Sequence, residues 1–384
     1  MKRLAVVTAT RAEYGLLTPL IRKVQEDCEL ELDLIVTGAH LTGKQGYTIQ
    51  EIIEDGFPIA HRIPILEEGN TPYDISVTMA NAIKGFAQCF RDDRPDMVVV
   101  LGDRTEMLGV AGAAMNERIP IAHIHGGEIT EGAVDDCVRH CLTKMSYLHF
   151  TASESYRRRV IQLGEEPERV FYVGGLGTEN VLNTPLLEES RIRRDVGIPN
   201  EMPYTVVTFH PVTLESASAE GQIEELCKAM RSEKEYFYLL TKANADTGGD
   251  AINYILEKFA NTEQNVKLVD SLGMVRYLSA IKYASFVLGN SSSGILEAPV
   301  LGIPTVNIGD RQKGRLMAET VVNCDAECGE IRAAIKKAAQ IFHKPTLLYG
   351  SGNTSAEIIR IVKRFLCEHG IDIKKKFYDM ENIQ

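Results

Sequence analysis

With 384 residues, 44% of them hydrophobic and 25% charged, the chain has the composition of a soluble globular protein long enough for two ordinary domains. A formal charge of −11 argues against a nucleic-acid surface, which wants a basic stripe, although a few local arginines and helix N-termini can still hold a small anion. No apolar run approaches a membrane span, and the eight cysteines lack C-x-x-C pairs; a cytoplasmic protein with reduced thiols and no metal site is expected.

The basic-then-apolar start is too short in its apolar part for a signal peptide and reads as a buried strand over 4–8. Further strands are predicted at 32–37, 97–101, 119–124, 147–151 and 170–173, with helical patterns over 16–26, 75–90 and 106–116 between them. This rhythm means βαβ units and a parallel sheet with helices on both faces. A break follows, in which Asn183-Thr184-Pro185, the charged stretch 188–195 and Gly197-Ile198-Pro199-Asn200 hold few strand formers. The rhythm restarts with strands at 204–209, 235–240, 265–269, 285–288 and 304–308. The predicted fold class is therefore α/β, with one Rossmann-like domain over 1–183 and a second over 184–364. The last helix, roughly 356–369, is expected to pack back so that 365–384 complete the first domain. Open parallel sheets bind ligands beyond the carboxyl ends of their strands, so polar clusters that follow strands mark the candidate site, expected in a cleft between the domains.

Several clusters meet that rule. Thr8-Ala9-Thr10-Arg11-Ala12-Glu13-Tyr14 follows the first strand and opens a helix that could face a phosphate; it is not G-x-G-x-x-G, and a plain βα loop with an exposed arginine fits equally. Gly102-Asp103-Arg104-Thr105-Glu106 puts three charges at the end of a buried strand, costly unless they face a cleft, though Asp103 and Glu106 also have capping spacing. In His123-Ile124-His125-Gly126-Gly127-Glu128, strand alternation aims both histidines to one side, the glycines allow close approach of a ligand, and Glu128 can do proton work. The helical stretch Asp135-Asp136-Cys137-Val138-Arg139-His140 adds further acids.

In the second half, His210-Pro211-Val212-Thr213 follows a strand, with proline fixing the turn that aims the histidine outward. Gly289-Asn290-Ser291-Ser292-Ser293-Gly294 follows another and leads into a helical start over 295–300, so its hydroxyls and N–H groups suit an anion. Glu297 there opposes an anion and should meet something else, such as ribose hydroxyls. Arg311 comes soon after the next strand. Asn244 lies in a loop that can be merely polar, and Tyr277 reads either as a core or as a base-stacking aromatic.

Taken in order, Arg11-Ala12-Glu13-Tyr14, Gly102-Asp103-Arg104, His123-Ile124-His125-Gly126-Gly127-Glu128, Arg139-His140, His210-Pro211-Val212-Thr213, Gly289-Asn290-Ser291-Ser292 and Gly309-Asp310-Arg311-Gln312 resemble the hydrolysing UDP-N-acetylglucosamine 2-epimerases that start sialic-acid-type sugar synthesis. The resemblance runs over nearly the whole chain. It implies a GT-B-like fold with UDP held mainly by the second domain, and no cofactor. It also implies loss of UDP to give a 2-acetamidoglycal, then addition of water to give N-acetylmannosamine. By motif, Asp103 and Asp135 would be acid–base residues, and Arg11, Arg104, His210, Ser291 and Ser292 would hold the diphosphate. Glu297 would take the ribose, Asn244 and Arg311 would lie beside the nucleotide, and Tyr277 would stack on uracil.

One position departs from the family pattern. Many relatives carry glutamate where this chain has His125; histidine can serve as acid or base there, or Glu128 can take the role over, or the substrate differs. The partner is expected to be a UDP-linked N-acetylamino sugar, on a homodimer or homotetramer without nucleic-acid or membrane contacts. Rival readings are the same chemistry on UDP-N,N′-diacetylbacillosamine for legionaminic acid, a GT-B glycosyltransferase, a non-hydrolysing epimerase and a non-catalytic nucleotide-sugar sensor.

Overall fold

In a computed structural model, which describes residues 1–43, 46–69, 71–130, 134–211, 219–243 and 249–380, the βα alternation builds two units. One takes in Met1–Glu128, Val134–Asn180 and the chain from Tyr349 onward; the other is chiefly Val181–Leu348.

The first unit runs β1 (Lys2–Thr8), α1 (Arg11–Glu26), β2 (Leu30–Thr37), α2 (Ile49–Glu54), β3 (Ile59–Ile63), α3 (Pro72–Asp92), β4 (Met97–Leu101), α4 (Thr105–Asn116), β5 (Ile121–Ile124), α5 (Val134–Met145), β6 (Leu148–Thr151), α6 (Glu154–Gln162), β7 (Val170–Tyr172) and α7 (Leu176–Asn183). Among the described residues its strands form one parallel sheet in the order β3-β2-β1-β4-β5-β6-β7. The chain lays strands outward on one side of β1 and then restarts on the other, so the order reverses at β1/β4. The strands nearest that reversal, β4 above all, are buried along their length, as a sheet covered by helices on both faces requires. Helix α1 begins where Thr10 accepts the Glu13 N–H, and it buries Tyr14, Leu17, Leu20, Ile21 and Val24 as one apolar stripe. Helix α3 starts on a reciprocal capping box between Thr71 and Asp74, with Pro72 in its first turn.

The second unit runs α8 (Glu189–Val196), β8 (Tyr204–Thr208), α9 (Ala219–Ser232), β9 (Phe237–Thr241), α10 (Gly249–Thr262), β10 (Val266–Val269), α11 (Gly273–Lys282), β11 (Val287–Gly289), α12 (Ser293–Leu296), β12 (Thr305–Ile308), β13 (Val321–Cys324) and α13 (Cys328–Ala338). Its sheet repeats the plan, with order β10-β9-β8-β11-β12-β13 and a reversal at β8/β11. The chain then returns to the first unit in α14 (Thr354–Lys363), whose Ile358, Ile359, Ile361 and Val362 join the core under β1 and α1. Lys363 ties the same helix to Asp27 at 3.0 Å. Beyond it, the Lys375 ammonium reaches the buried Glu165 carboxylate at 2.6 Å. Burial opposes the charge on Glu165, but His149, Lys144 and Lys375 together hold its pKa down at about 2. No helix among the described residues is long and apolar enough to cross a membrane.

The predicted alternation and both sheets are present, and two strands were missed. β3 and β13 lie at sheet edges, where burial alternates or lapses and the apolar run that marks a central strand gives out. The helical start expected over 295–300 is shorter and earlier, because α12 ends at Leu296.

Gly289 closes β11 at φ +133°, and a Cβ there would collide with the Thr208 carbonyl oxygen of the neighbouring strand. Gly289→Ala should therefore lower unfolding free energy by about 2 kcal/mol or more, read as an earlier denaturant midpoint at unchanged slope.

Candidate functional site

In the first unit the polar clusters gather at the carboxyl ends of β1, β4 and β5, on both sides of the strand-order reversal. Gly102 turns the chain out of β4 at φ +74°. The imidazole of His123, fully buried on β5, donates from Nε2 to the Gly102 carbonyl at 2.7 Å. Burial drives the His123 pKa down to about 3, so this ring is neutral and works as a strut under the turn. His123 is thus a support for Asp103 rather than part of the reactive surface. Strand alternation does not carry on to His125, which leaves β5 in the left-handed region at φ +66°.

Arg139, buried on α5, gathers the cluster. Its guanidinium donates to the Asp103 carboxylate, to Asp136 at 3.2 Å and to the Glu128 carbonyl at 3.0 Å. A planar fork can serve three acceptors on three segments at once, which an ammonium cannot do in fixed geometry. Sequence reasoning quoted Arg139 without giving it a role; its spacing of three and four residues from Asp136 and Asp135 on one helix was the available signal. Asp135 sits exposed in the first turn of α5. Glu128 is buried, with Oε1 3.6 Å from His125 Nδ1. Nε2 of His125 accepts the Leu176 N–H at 3.3 Å, at the start of α7, so the neutral ring carries its proton on Nδ1, toward Glu128.

Arg104 spends its Nε on Glu106 at 2.6 Å, and among the described residues its two terminal nitrogens take no hydrogen bond. Burial disfavours its charge, but Glu106, Glu13 and Asp135 hold its pKa above the ordinary arginine value. Glu13, which carried no role in the sequence, is 7% exposed beside it. Arg11 lies apart from this group, exposed and paired with Glu51 on α2 at 3.1 Å.

In the second unit the residues collect at the ends of β8 and β11, again at the reversal. Asn290, itself buried, clamps the His210 main chain both ways: its Oδ1 accepts the His210 N–H at 2.7 Å and its Nδ2 donates to the His210 carbonyl at 2.8 Å. The Asn290 carbonyl in turn accepts from Arg311 at 3.2 Å and from Gln312 at 2.9 Å. One asparagine thus ties together three strand-end loops; it and Gln312 stand in the quoted motifs but carry no role of their own there. The Tyr277 hydroxyl lies 2.5 Å from Ser293 Oγ and 3.5 Å from Thr208 Oγ1, with its ring half-buried on the core of this unit. Ser291 Oγ accepts the Ser293 N–H at 3.4 Å. Since α12 is a single turn, it brings little helix dipole, and the hydroxyls of Ser291 and Ser292 are what this loop offers an anion. Burial alone pushes the Glu297 carboxyl up to about 7. Asn244 lies outside the described residues.

Comparison with known proteins gives a consistent picture. A family model described as UDP-N-acetylglucosamine 2-epimerase matches residues 22–363. A Campylobacter jejuni protein named GDP/UDP-N,N'-diacetylbacillosamine 2-epimerase (hydrolyzing) is 41% identical over 88% of this chain and 87% of its own length. Polysialic acid biosynthesis protein P7 of Escherichia coli is 38% identical over 99% of this chain and 98% of its own. Among solved structures, the Neisseria meningitidis UDP-GlcNAc 2-epimerase bound to UDP-GlcNAc shares the fold with a TM-score of 0.80 at 17% identity, over 95% of this chain and 100% of that one.

The Arg139 fork yields a stability test. Arg139→Met leaves Asp103 and Asp136 without their cation and should cost on the order of 2 kcal/mol in denaturant unfolding. Adding Asp103→Asn should recover part of that loss; strictly additive effects would show that the two residues are not coupled.

Proposed function

The chain belongs to the UDP-N-acetylglucosamine 2-epimerase family, and from that premise we propose that it is a hydrolysing member, converting UDP-N-acetylglucosamine and water to N-acetylmannosamine and UDP. The observation that carries this reading is the cluster held by Arg139, whose guanidinium binds the Asp103 and Asp136 carboxylates and the main-chain carbonyl of Glu128 at the strand ends of the first unit. Proton transfer at a weakly acidic C–H bond needs carboxylates that are placed before the substrate arrives.

In the first step a base takes the C2 proton, the C2–H electron pair forms the C1=C2 bond, and the C1–O bond breaks as UDP leaves. In the second, the oxygen of water bonds to C1 and a proton returns to C2 from the opposite face. Asp103 and Asp135 are assigned the acid–base work. At the position where relatives carry glutamate, His125 already gives its Nε2 lone pair to the Leu176 N–H, which favours Glu128 as the group that takes over. Arg104, with terminal nitrogens left over, is assigned to the departing diphosphate, and Arg11 joins it by breaking from Glu51. In the second unit His210, Ser291 and Ser292 are assigned to the diphosphate, Glu297 to the ribose hydroxyls, and Arg311 to the nucleotide. Tyr277, whose hydroxyl meets Ser293, is assigned to hold the serine turn.

A second reading, hydrolysis of UDP-N,N′-diacetylbacillosamine, is favoured by the name and 41% identity of the Campylobacter relative. Incubation with each UDP-sugar, followed by NMR of the sugar product, separates the two. The proposal predicts free N-acetylmannosamine and UDP from UDP-N-acetylglucosamine. Turnover of the diacetylated sugar alone moves the assignment to the second reading, and a product still linked to UDP overturns hydrolysis. Asp103→Asn should lower turnover by roughly 100-fold or more while UDP affinity changes only about threefold.

A further inference from the structure

Glu13 occupies the third position of α1, and its capping role accounts for half of its carboxyl group. Oε2 accepts the Ala9 N–H at 3.1 Å and the Thr10 hydroxyl at 3.3 Å, while the Glu13 N–H goes to Thr10 Oγ1. Oε1 is buried and has no hydrogen-bond partner among the described residues. A buried carboxyl oxygen left unsatisfied costs free energy that a cap alone does not require, since a cap uses one oxygen.

The surroundings suggest what satisfies it. Helix α1 is sixteen residues long, and among the described residues the N–H groups of Arg11 and Ala12 have no acceptor. Arg104 stands beside Glu13 with its terminal nitrogens unspent. Two open N–H groups at the start of a long helix and a guanidinium form an anion site. An ionised carboxylate within such a site would repel the anion; a protonated one would donate to it.

We infer that Glu13 is a ligand-binding residue, which donates a proton from Oε1 to a phosphate oxygen of the bound nucleotide, so that binding takes up a proton. This rests on the proposed function, in which Arg104 meets the diphosphate. The charged groups that face Glu13 are Arg104 and Glu106, both from the start of α4, and its remaining contacts are Ala9 and Thr10. Burial is the largest influence and Glu106 adds to it, while Arg104 and the two hydrogen bonds oppose, leaving the free carboxyl at about 7. A phosphate nearby raises this value further. The anion therefore binds best to the protonated form, and affinity falls as pH rises through and above about 7.

The test is calorimetric titration of UDP into the full chain at pH 7.5, in buffers of different ionisation enthalpy, for the wild type and Glu13→Gln. The glutamine keeps an acceptor for Ala9 and Thr10 and presents a permanent donor at the Oε1 position. The wild type should take up roughly half a proton more than the variant, and from pH 6 to 8.5 its Kd should rise about tenfold more than the variant's. Taking the difference cancels titration of UDP itself and of Glu297. Equal uptake in the two proteins overturns the inference, even if Glu13→Gln shifts the melting temperature, and leaves the functional reading intact. A wild type that does not bind UDP overturns both. If the glutamine variant does not fold, Glu13→Asp serves the same comparison, because its carboxyl is one methylene short of the site and the extra uptake should disappear.

Discussion

The reversal of strand order in a parallel sheet is the constraint on which the rest of this structure depends. Where successive strands are laid on opposite sides of a starting strand, the loops after the two central strands diverge to opposite faces and leave room at the sheet's carboxyl edge. The reversal falls at β1/β4 in one unit and at β8/β11 in the other. Glu13 stands in the first turn of the helix that follows β1, and the loop after β4 carries Asp103 and Arg104; the loops after β8 and β11 carry His210, Asn290 and the serines. The residues assigned to the proposed reaction follow these strand ends, and Gly102 and Gly289 take the chain out of β4 and β11 at positive φ.

Each edge is then stiffened by one buried polar residue that serves several loops. Arg139 joins the segments after β4 and β5 to its own helix, and Asn290 joins those after β8, β11 and β12. Both are buried, so each hydrogen bond is made where leaving a partner unsatisfied is expensive. The cost of disorder enforces the geometry, so the Asp103 carboxylate and the His210 main chain are held in place by buried partners. His123 adds to this as a neutral strut, kept uncharged by its own burial.

Much of this could be read from the residues in order. Central strands announce themselves as short apolar runs because they are buried on both faces, and the motifs after them stand out because charges at such places are otherwise costly. The edge strands β3 and β13 were missed because their exposed faces break that pattern. The site was legible as a set of motifs but not as a network. Nothing local marks Arg139 as the partner of Asp103, 36 residues away, or Asn290 as the clamp on His210, 80 residues away. Alternation suggested one side for His123 and His125, and failed because the backbone turns left-handed at His125. Glu13 lies within the Arg11-Ala12-Glu13-Tyr14 motif with no role of its own there, and only its burial shows that one carboxyl oxygen is left over.

In the proposed reaction the carboxylates of the first unit exchange the C2 proton of a UDP-linked amino sugar with solvent. The most direct measurement is turnover of UDP-N-acetylglucosamine in deuterium oxide, with the sugar product analysed by NMR at C2. The proposed reaction delivers one deuterium to C2 of the released N-acetylmannosamine when water adds to the glycal. A product that keeps its original proton at C2 would contradict it.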